Sequence, residues 1–422
     1  MLPRFCRVRQ SFDDRHIGDI SGAVINQLAS LELDQVIGEG DSVAVTAGSR
    51  GIADIATITR ATVGFLQQIG AKPFVVPAMG SHGGGTAGGQ VKVLASLGMT
   101  PESLGCEIRS SMETVTVCEH PLGFPVHFDR HAWEADHVVV INRIKAHTGI
   151  SGPLESGLIK MLLVGLGKHE GAKLYHRAME DHSFQEIAEM SVDQVIRKCR
   201  IACGLGIVEN AFEKTAVIRG LAPHDFLTGE PKLLELAKSL MPRLPMDDLD
   251  MLLVDQMGKN ISGTGMDTNI VGRKFNDNAA MPGETPRIKR ICVRDLTEAT
   301  GGNATGIGIA EFCRSQLVEK IDHRITAINC ITALHPTGAM IPIHFPTDRE
   351  MLEAAGSTLG LVPLDKCQMA WIQNTLHLNE FECSEPAAEM LANHSGLEFI
   401  GDPRQIPFDG LGNLPWFPNL WS

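Results

Sequence analysis

The feature that most narrows the fold is a repeated order of apolar run, glycine-rich loop and helical stretch in the first part of the chain. Ser42–Thr46 (SVAVT) is a short β-branched run that ends in Ala47-Gly48-Ser49-Arg50-Gly51, and Ala53–Ile69 then carries apolar residues at helical spacing. Pro73–Met79 (PFVVPAM) reads as the next strand, opens into the glycine-dense loop Gly80–Gly89, and is followed by a helix candidate, Gln90–Leu97. His137–Asn142 (HVVVIN) is a further buried strand. This order predicts parallel β-α-β units. Ligands of such sheets sit at the carboxyl ends of the strands, where these loops lie.

A chain of 422 residues exceeds what one core usually serves, so two domains are expected. Residues 158–190 read as helical, with an interruption at Gly165-Leu166-Gly167. Prolines 223, 231, 242 and 245 then punctuate a loop-rich stretch around one helix, Lys232–Leu240. The boundary is placed at Pro245, giving an N-terminal domain of residues 1–245, a second α/β domain of 246–402, and a tail of 403–422 that packs back as an extended cover. In the second domain Asp250–Asp255, Arg290–Asp295 and Ala327–Ile331 read as strands, with a helix over about Ala310–Ile321 and helix cores at Asp348–Ala355 and Ala387–Ala392. The expected fold is two α/β domains with parallel-rich sheets and an active site in the cleft between them.

The formal net charge of −13, without a basic run or stripe, argues against a nucleic-acid surface. The ten cysteines are scattered with no C-x-x-C pair, which predicts reduced core thiols rather than a zinc or iron–sulfur site. The opening MLPRFCRVRQSFDD lacks an apolar h-region, and no run reaches the ~18 apolar residues of a membrane span. A cytoplasmic protein is expected.

Four short stretches could carry chemistry. In Gly80-Ser81-His82-Gly83-Gly84-Gly85-Thr86, glycines allow close approach of backbone to a ligand, and a histidine there suits general acid/base work. A flexible turn with an incidental histidine explains it equally well. The loop is neither a Walker A motif nor a dinucleotide fingerprint. His147, in Lys145-Ala146-His147-Thr148-Gly149, follows the HVVVIN strand and points toward the ligand crevice or serves a turn. Lys160 lies in the mostly apolar Gly157–Leu163, where it is buried and reactive or snorkels to the surface. His176 follows the only tyrosine, Tyr175, and is a candidate metal ligand or a satisfied structural residue.

Together these pieces resemble the nickel-dependent lactate racemase family and its related isomerases. Lys160 and His176 are sixteen apart (176 − 160), the family's spacing between the lysine that tethers a nickel–pincer nucleotide and the histidine that ligates nickel. Leu163-Val164-Gly165-Leu166 between them resembles the family's Leu-Pro-Gly-Ile turn. His82 sits as in the family's Gly-Thr-His loop, and His147 as its second histidine. Ala47-Gly48-Ser49-Arg50 resembles the family's Asp-x-x-Arg segment, and Gln256-Met257-Gly258-Lys259 its Gln-x-x-Lys substrate element. Three departures stand out. Ala47 replaces Asp, the stretch from His147 to Lys160 is slightly longer than in lactate racemase, and Gly157-Leu158-Ile159 precedes the lysine in place of Gly-Gly-Arg. They argue against lactate itself as substrate, and less strongly against the cofactor.

The resemblance implies a racemase or epimerase inverting C2 of a 2-hydroxy acid. Nickel and its pyridinium bisthiocarboxylate mononucleotide would be bound through Lys160, His176 and the 47–50 segment. His82 and His147 would act as the two acid/bases, and Arg50, Gln256 and Lys259 would hold the substrate. It also implies enzymes that make the cofactor as partners, and leaves a homodimer open. Two other classes compete: a nicotinamide-dependent dehydrogenase, disfavoured by the missing fingerprint, and a small-anion or nucleotide-binding protein on the same scaffold without the tethered group, which Ala47 would favour.

Overall fold

The computed structural model describes residues 2–49 and 51–417. They divide into two units: Asp13–Met241, and a second made of the residues up to Phe12 together with those from Pro242 onward. The first strand, β1 (Arg4–Gln10), therefore belongs with the second half of the chain. Read from sequence as part of the 1–245 domain, it instead pairs antiparallel with two late strands. Its arginines meet carboxylates of those strands: Arg7 Nε bonds Glu382 at 2.8 Å and Arg9 Nε bonds Glu380 at 2.9 Å.

The Asp13–Met241 unit is built on β2 (Ser42–Ala47), β3 (Lys72–Pro77), a separate hairpin of β4 (Thr114–His120) and β5 (Phe124–Asp129), then β6 (His137–Arg143), β7 (Ile201–Glu209) and β8 (Thr215–Leu221). The main sheet has the order β3-β2-β6-β7-β8. The first three pairs are parallel and the last antiparallel. Strand side chains alternate between faces, and both faces are buried. Ala44, Val138 and Val140 join one apolar cluster with Phe184, Ile187, Val195 and Leu233 of the helices Phe184–Lys198 and Phe226–Leu240. Val43, Val45, Val139 and Ile141 join a second cluster with Ile55, Ile58, Val63 and Leu66 of the helix Ile55–Gln68. Two-sided burial explains the unbroken apolar runs. Each fully buried valine or isoleucine contributes about 1.5–3 kcal/mol. The helix Phe184–Lys198 starts with a capping box, Ser183 and Glu186 each satisfying a backbone N–H of the other.

The strand order places β3 on one side of β2 and β6 on the other. The chain thus changes direction at the β2/β6 boundary, and the loops at the carboxyl ends of these strands flank the crevice where ligands of such sheets bind.

The second unit holds β9 (Asp248–Met257), β10 (Arg287–Leu296), β11 (Phe312–Arg314), β12 (Ile343–Phe345), β13 (Met369–Ile372), β14 (Glu380–Ser384) and β15 (Leu397–Gln405). With β1 they form one sheet in the order β12-β11-β10-β9-β13-β14-β1-β15. It is parallel from β12 through β13 and antiparallel beyond. Its core contains a buried ion cluster. Arg294 bonds Asp255 at 2.8 Å and Asp348 at 2.9 Å, and Arg314 bonds Asp348 at 2.8 Å. The end of the described chain completes this cluster. The Leu414 and Phe417 N–H groups donate to Asp348 and Asp255, the Leu414 and Pro415 carbonyls accept from Arg294, and the Trp416 ring lies 4.1 Å from its guanidinium carbon.

Two sequence expectations for this unit are corrected. Ala327–Ile331, read as a strand, lies inside the helix His323–Thr332, capped by Asp322 accepting from the Ile325 N–H. Ile325, Ile328 and Ile331 recur every three residues, which suits a helix and not a half-buried strand. The helix expected over about Ala310–Ile321 is reduced to Ser315–Glu319, because Phe312–Arg314 pairs with β10 and β12 as a strand.

Candidate active site

Ser49 and His82 come from the loops after β2 and β3, which are parallel neighbours in register through Ala47 and Pro77. Ala78 N–H donates to Ala47 O at 2.8 Å, tying the two loops where they leave the sheet. Beyond this point the Ser49 hydroxyl hydrogen-bonds His82 Nδ1. The histidine loop turns on Gly80, at φ 57°, where a side chain would be strained. Gln90 is buried and donates to the Gly80 carbonyl at 3.0 Å, fixing the loop from below.

Lys160 ends a short helical turn, Leu158–Lys160, that runs into a π-turn over Met161–Gly165. The Leu166 N–H reaches back five residues to Met161 O at 2.9 Å. Such single π-turns occur frequently at functional sites. The segment is pinned at both ends. At its start Asn142, near the end of β6, donates to Gly157 O at 2.7 Å, and Glu230 accepts the Ile159 N–H at 3.0 Å. Glu230 is fully buried, and burial raises its pKa to about 7. Its Oε1 lies so close to Gly157 that no Cβ fits there, so the Gly-Leu-Ile-Lys order leaves room for the carboxyl. At the far end the Gly80 N–H donates to Gly165 O at 3.1 Å. A Cβ on Gly48 would come within 3.2 Å of Met161 Cε and 3.8 Å of Asn142 Oδ1. The ends of β2, β3 and β6 and the lysine turn therefore converge.

His176, on the helix Lys168–Ala178, is partly buried. Burial first, and the nearby positive charge of Lys160 second, push its pKa down to about 4. The imidazole is therefore neutral near pH 7, the form that ligates a metal.

His147 lies in a loop closed by an antiparallel bridge between Lys145 and Ser156. Glu155, 1% exposed, accepts the His147 N–H at 2.6 Å and an ion pair from Lys238 at 2.6 Å. The Gly149 N–H donates to His147 Nδ1 at 3.0 Å, so the neutral ring carries its proton on Nε2.

In the second unit Gln256 and Lys259 follow one another at the carboxyl end of β9, where the strand order again reverses between β10 and β13. Gln256 N–H donates to Gln373 O, and Lys259 Nζ donates to Gly263 O at 2.6 Å. Arg50 lies outside the described residues.

The structure thus brings Ser49 to His82, and the turn that carries Lys160 to the loop that carries His82. Ala47, Gly48 and Ser49 lie at the same strand ends. Several supporting residues were not singled out from sequence: Asn142, Glu230, Gln90, and the buried Lys168. Lys168 bonds Pro77 O at 2.6 Å, Gln90 at 3.2 Å and Asp129 at 2.9 Å. The one sequence hint of Lys168 was its place beside the Gly165-Leu166-Gly167 interruption.

Among the described residues no three His, Cys, Asp or Glu side chains converge as a metal cage. A histidine held neutral by burial has the chemistry of a metal ligand, and a lysine has the chemistry of a covalent tether, so His176 and Lys160 fit a lysine-tethered metal cofactor.

No protein-family model matches the sequence, and no curated protein is similar to it. Among solved structures the chain is similar to the lactate racemase apoprotein from Thermoanaerobacterium thermosaccharolyticum. The TM-score is 0.53 at 13% identity, over 84% of this chain and 91% of that one. The two share a fold. Among the described residues no helix is long and apolar enough to cross a membrane.

Proposed function

We propose that this chain is a racemase or epimerase that inverts C2 of a 2-hydroxy acid with a nickel–pincer nucleotide tethered to Lys160. The observation that carries the reading is the convergence of the Lys160 turn with the loops that bear Ser49 and His82, in a fold shared with a lactate racemase apoprotein. Lys160 would hold the group covalently, His176 would ligate its nickel, and the backbone of Ala47, Gly48 and Ser49 would line it. When bound, the group supplies reversible acceptance of hydride at C2, which avoids abstracting a very weakly acidic C–H proton.

The chain's own residues manage the proton and the substrate. One of His82 and His147 takes the proton of the substrate hydroxyl oxygen, and the other returns one after inversion. Two bases are needed because the reaction runs in both directions. Ser49 on His82 Nδ1 and Gly149 on His147 Nδ1 fix the orientation of each ring. Arg50, Gln256 and Lys259 are assigned to the substrate's carboxylate and hydroxyl, with Arg able to bind a carboxylate through two parallel hydrogen bonds. Cofactor-making enzymes are the partners this reading requires.

The test is intact mass and nickel content of protein co-expressed with those enzymes, for wild type and Lys160→Ala. A nucleotide-sized increment with about one nickel per chain, lost in the variant, is expected. His176→Ala should keep the mass increment and lose nickel. Unmodified, metal-free wild type would overturn the reading in favour of a binding protein on the same scaffold.

A further inference from the structure

The segment from His323 to Thr347, 25 residues (347 − 323 + 1), contains no Asp, Glu or Lys and a single Arg, Arg324, in a chain that is 21% charged overall. It is nevertheless surface. Ile325, Ile328 and Ile331 form an outward stripe on the helix His323–Thr332, and Met340, Ile341 and Ile343 continue the exposure into β12. Ile331, Met340 and Ile343 are 67%, 63% and 62% exposed.

The segment is also well fixed. The turn Pro336–Ala339 packs back on the helix, with the His335 N–H on Cys330 O at 2.9 Å. The His335 ring and the Thr337 hydroxyl both bond the Asp277 carboxylate, at 2.7 and 2.5 Å, which ties the turn to the loop between β9 and β10. β12 is the terminal strand of the eight-stranded sheet and, among the described residues, pairs on one side only, with β11.

An open edge strand invites association unless a partner covers it, and an exposed apolar helix stripe does the same. Depletion of charge together with exposed methionine and isoleucine is the composition of an interface core. Together the six residues expose roughly 600 Å², the upper end of the ~300–600 Å² patch that a typical monomer carries and short of the ~800 Å² that one partner gives to a standard interface.

We infer that the helix His323–Thr332 and the edge strand Ile343–Phe345 form a twofold interface with a second copy of this chain. Each element can meet its own symmetry mate, helix stripe on helix stripe and edge on antiparallel edge, as a twofold axis demands. Charge points the same way: two copies at −13 each repel, and an almost uncharged face is where they can approach. A membrane surface fits less well, because interfacial helices carry several Lys or Arg on the polar face and this one has only Arg324. The inference is independent of the catalytic proposal.

Sedimentation equilibrium at micromolar concentration tests it. The wild-type chain should have twice the mass of its 45.6 kDa monomer. The Ile328→Lys/Ile331→Lys variant should be monomeric, its dissociation constant raised roughly 100-fold or more. Both positions are more than half exposed, so the variant should keep the wild-type melting curve. Hydrogen exchange of wild type provides a second readout: the Ile343–Phe345 amides should become protected as concentration rises. A monomeric wild type, including one that binds anionic vesicles, would overturn the inference. So would a variant that still dimerises, or edge amides whose exchange ignores concentration.

Discussion

The buried Oε2 of Glu230 accepts the Ile159 N–H at 3.0 Å, one residue before Lys160. Burial raises this carboxyl's pKa to about 7 from 4.5, so the folded chain binds its proton more readily than the unfolded chain does. The associated stability is full below about pH 4.5 and is lost as the pH rises toward 7, a change of about 3 kcal/mol. Urea unfolding of the wild type at pH 5 and pH 8 should show this loss. Glu230→Gln should remove that part of the slope, and an unchanged slope would mean the carboxyl does not titrate there.

The Ser49 hydroxyl holds His82 Nδ1, and on the proposed reading it positions a base without being one. Ser49→Ala should lower the inversion rate of a 2-hydroxy acid by roughly tenfold, the loss of about one hydrogen bond. It should also shift the pH–rate profile while leaving nickel content unchanged. His82→Ala should cost about 10²–10⁴-fold, as removal of a general acid/base does. Equal rates for wild type and His82→Ala would remove the histidine from the mechanism.

Lys168 and Asp129 are both fully buried and paired at 2.9 Å. Lys168→Met strands the Asp129 charge and should destabilise the Asp13–Met241 unit by about 3–5 kcal/mol. The double variant Lys168→Met/Asp129→Leu should recover much of that, because neither charge is then left alone. A denaturant series on the three proteins reads the difference directly.

Truncation after Gly412 would strip Arg294, Asp255 and Asp348 of the four backbone bonds that Leu414, Pro415 and Phe417 supply. The second unit should then melt well below the first. Trp416→Ala, which removes only the ring over Arg294, should cost about 1–2 kcal/mol. Equal melting of the truncated and intact chains would show the ion cluster to be self-sufficient.

Legibility from sequence followed burial. β2, β3 and β6 lie between two apolar layers, so their side chains form continuous runs that a reader can see. β1 was not legible. RFCRVRQ buries Phe5 and Val8 but spends Arg7 and Arg9 on carboxylates of β14 and β15, some 370 residues away, as the Arg9–Glu380 pair (380 − 9 = 371) shows. Ala327–Ile331 reads as a strand although it is helical, because a short apolar run does not by itself separate helix from strand. At the site, the histidines and lysine stood out by type and spacing. Their supports did not: Ser49 reaches His82 only because β2 and β3 are neighbours, and Glu230 meets Ile159 from 71 residues on.

The place of β1 has a consequence for biogenesis. It lies between β14 and β15, so residues 4–10 cannot take their final partners until the chain has been made through residue 405. At a ribosomal pace of ~5–20 residues per second, the nearly 400 residues between them take roughly 20–80 s. The Asp13–Met241 stretch, contiguous in the chain, can fold within that wait. The earliest strand is thus held in reserve while a complete unit matures behind it, and slowing translation past residue 241 would lengthen that exposure without touching a single contact of the finished protein.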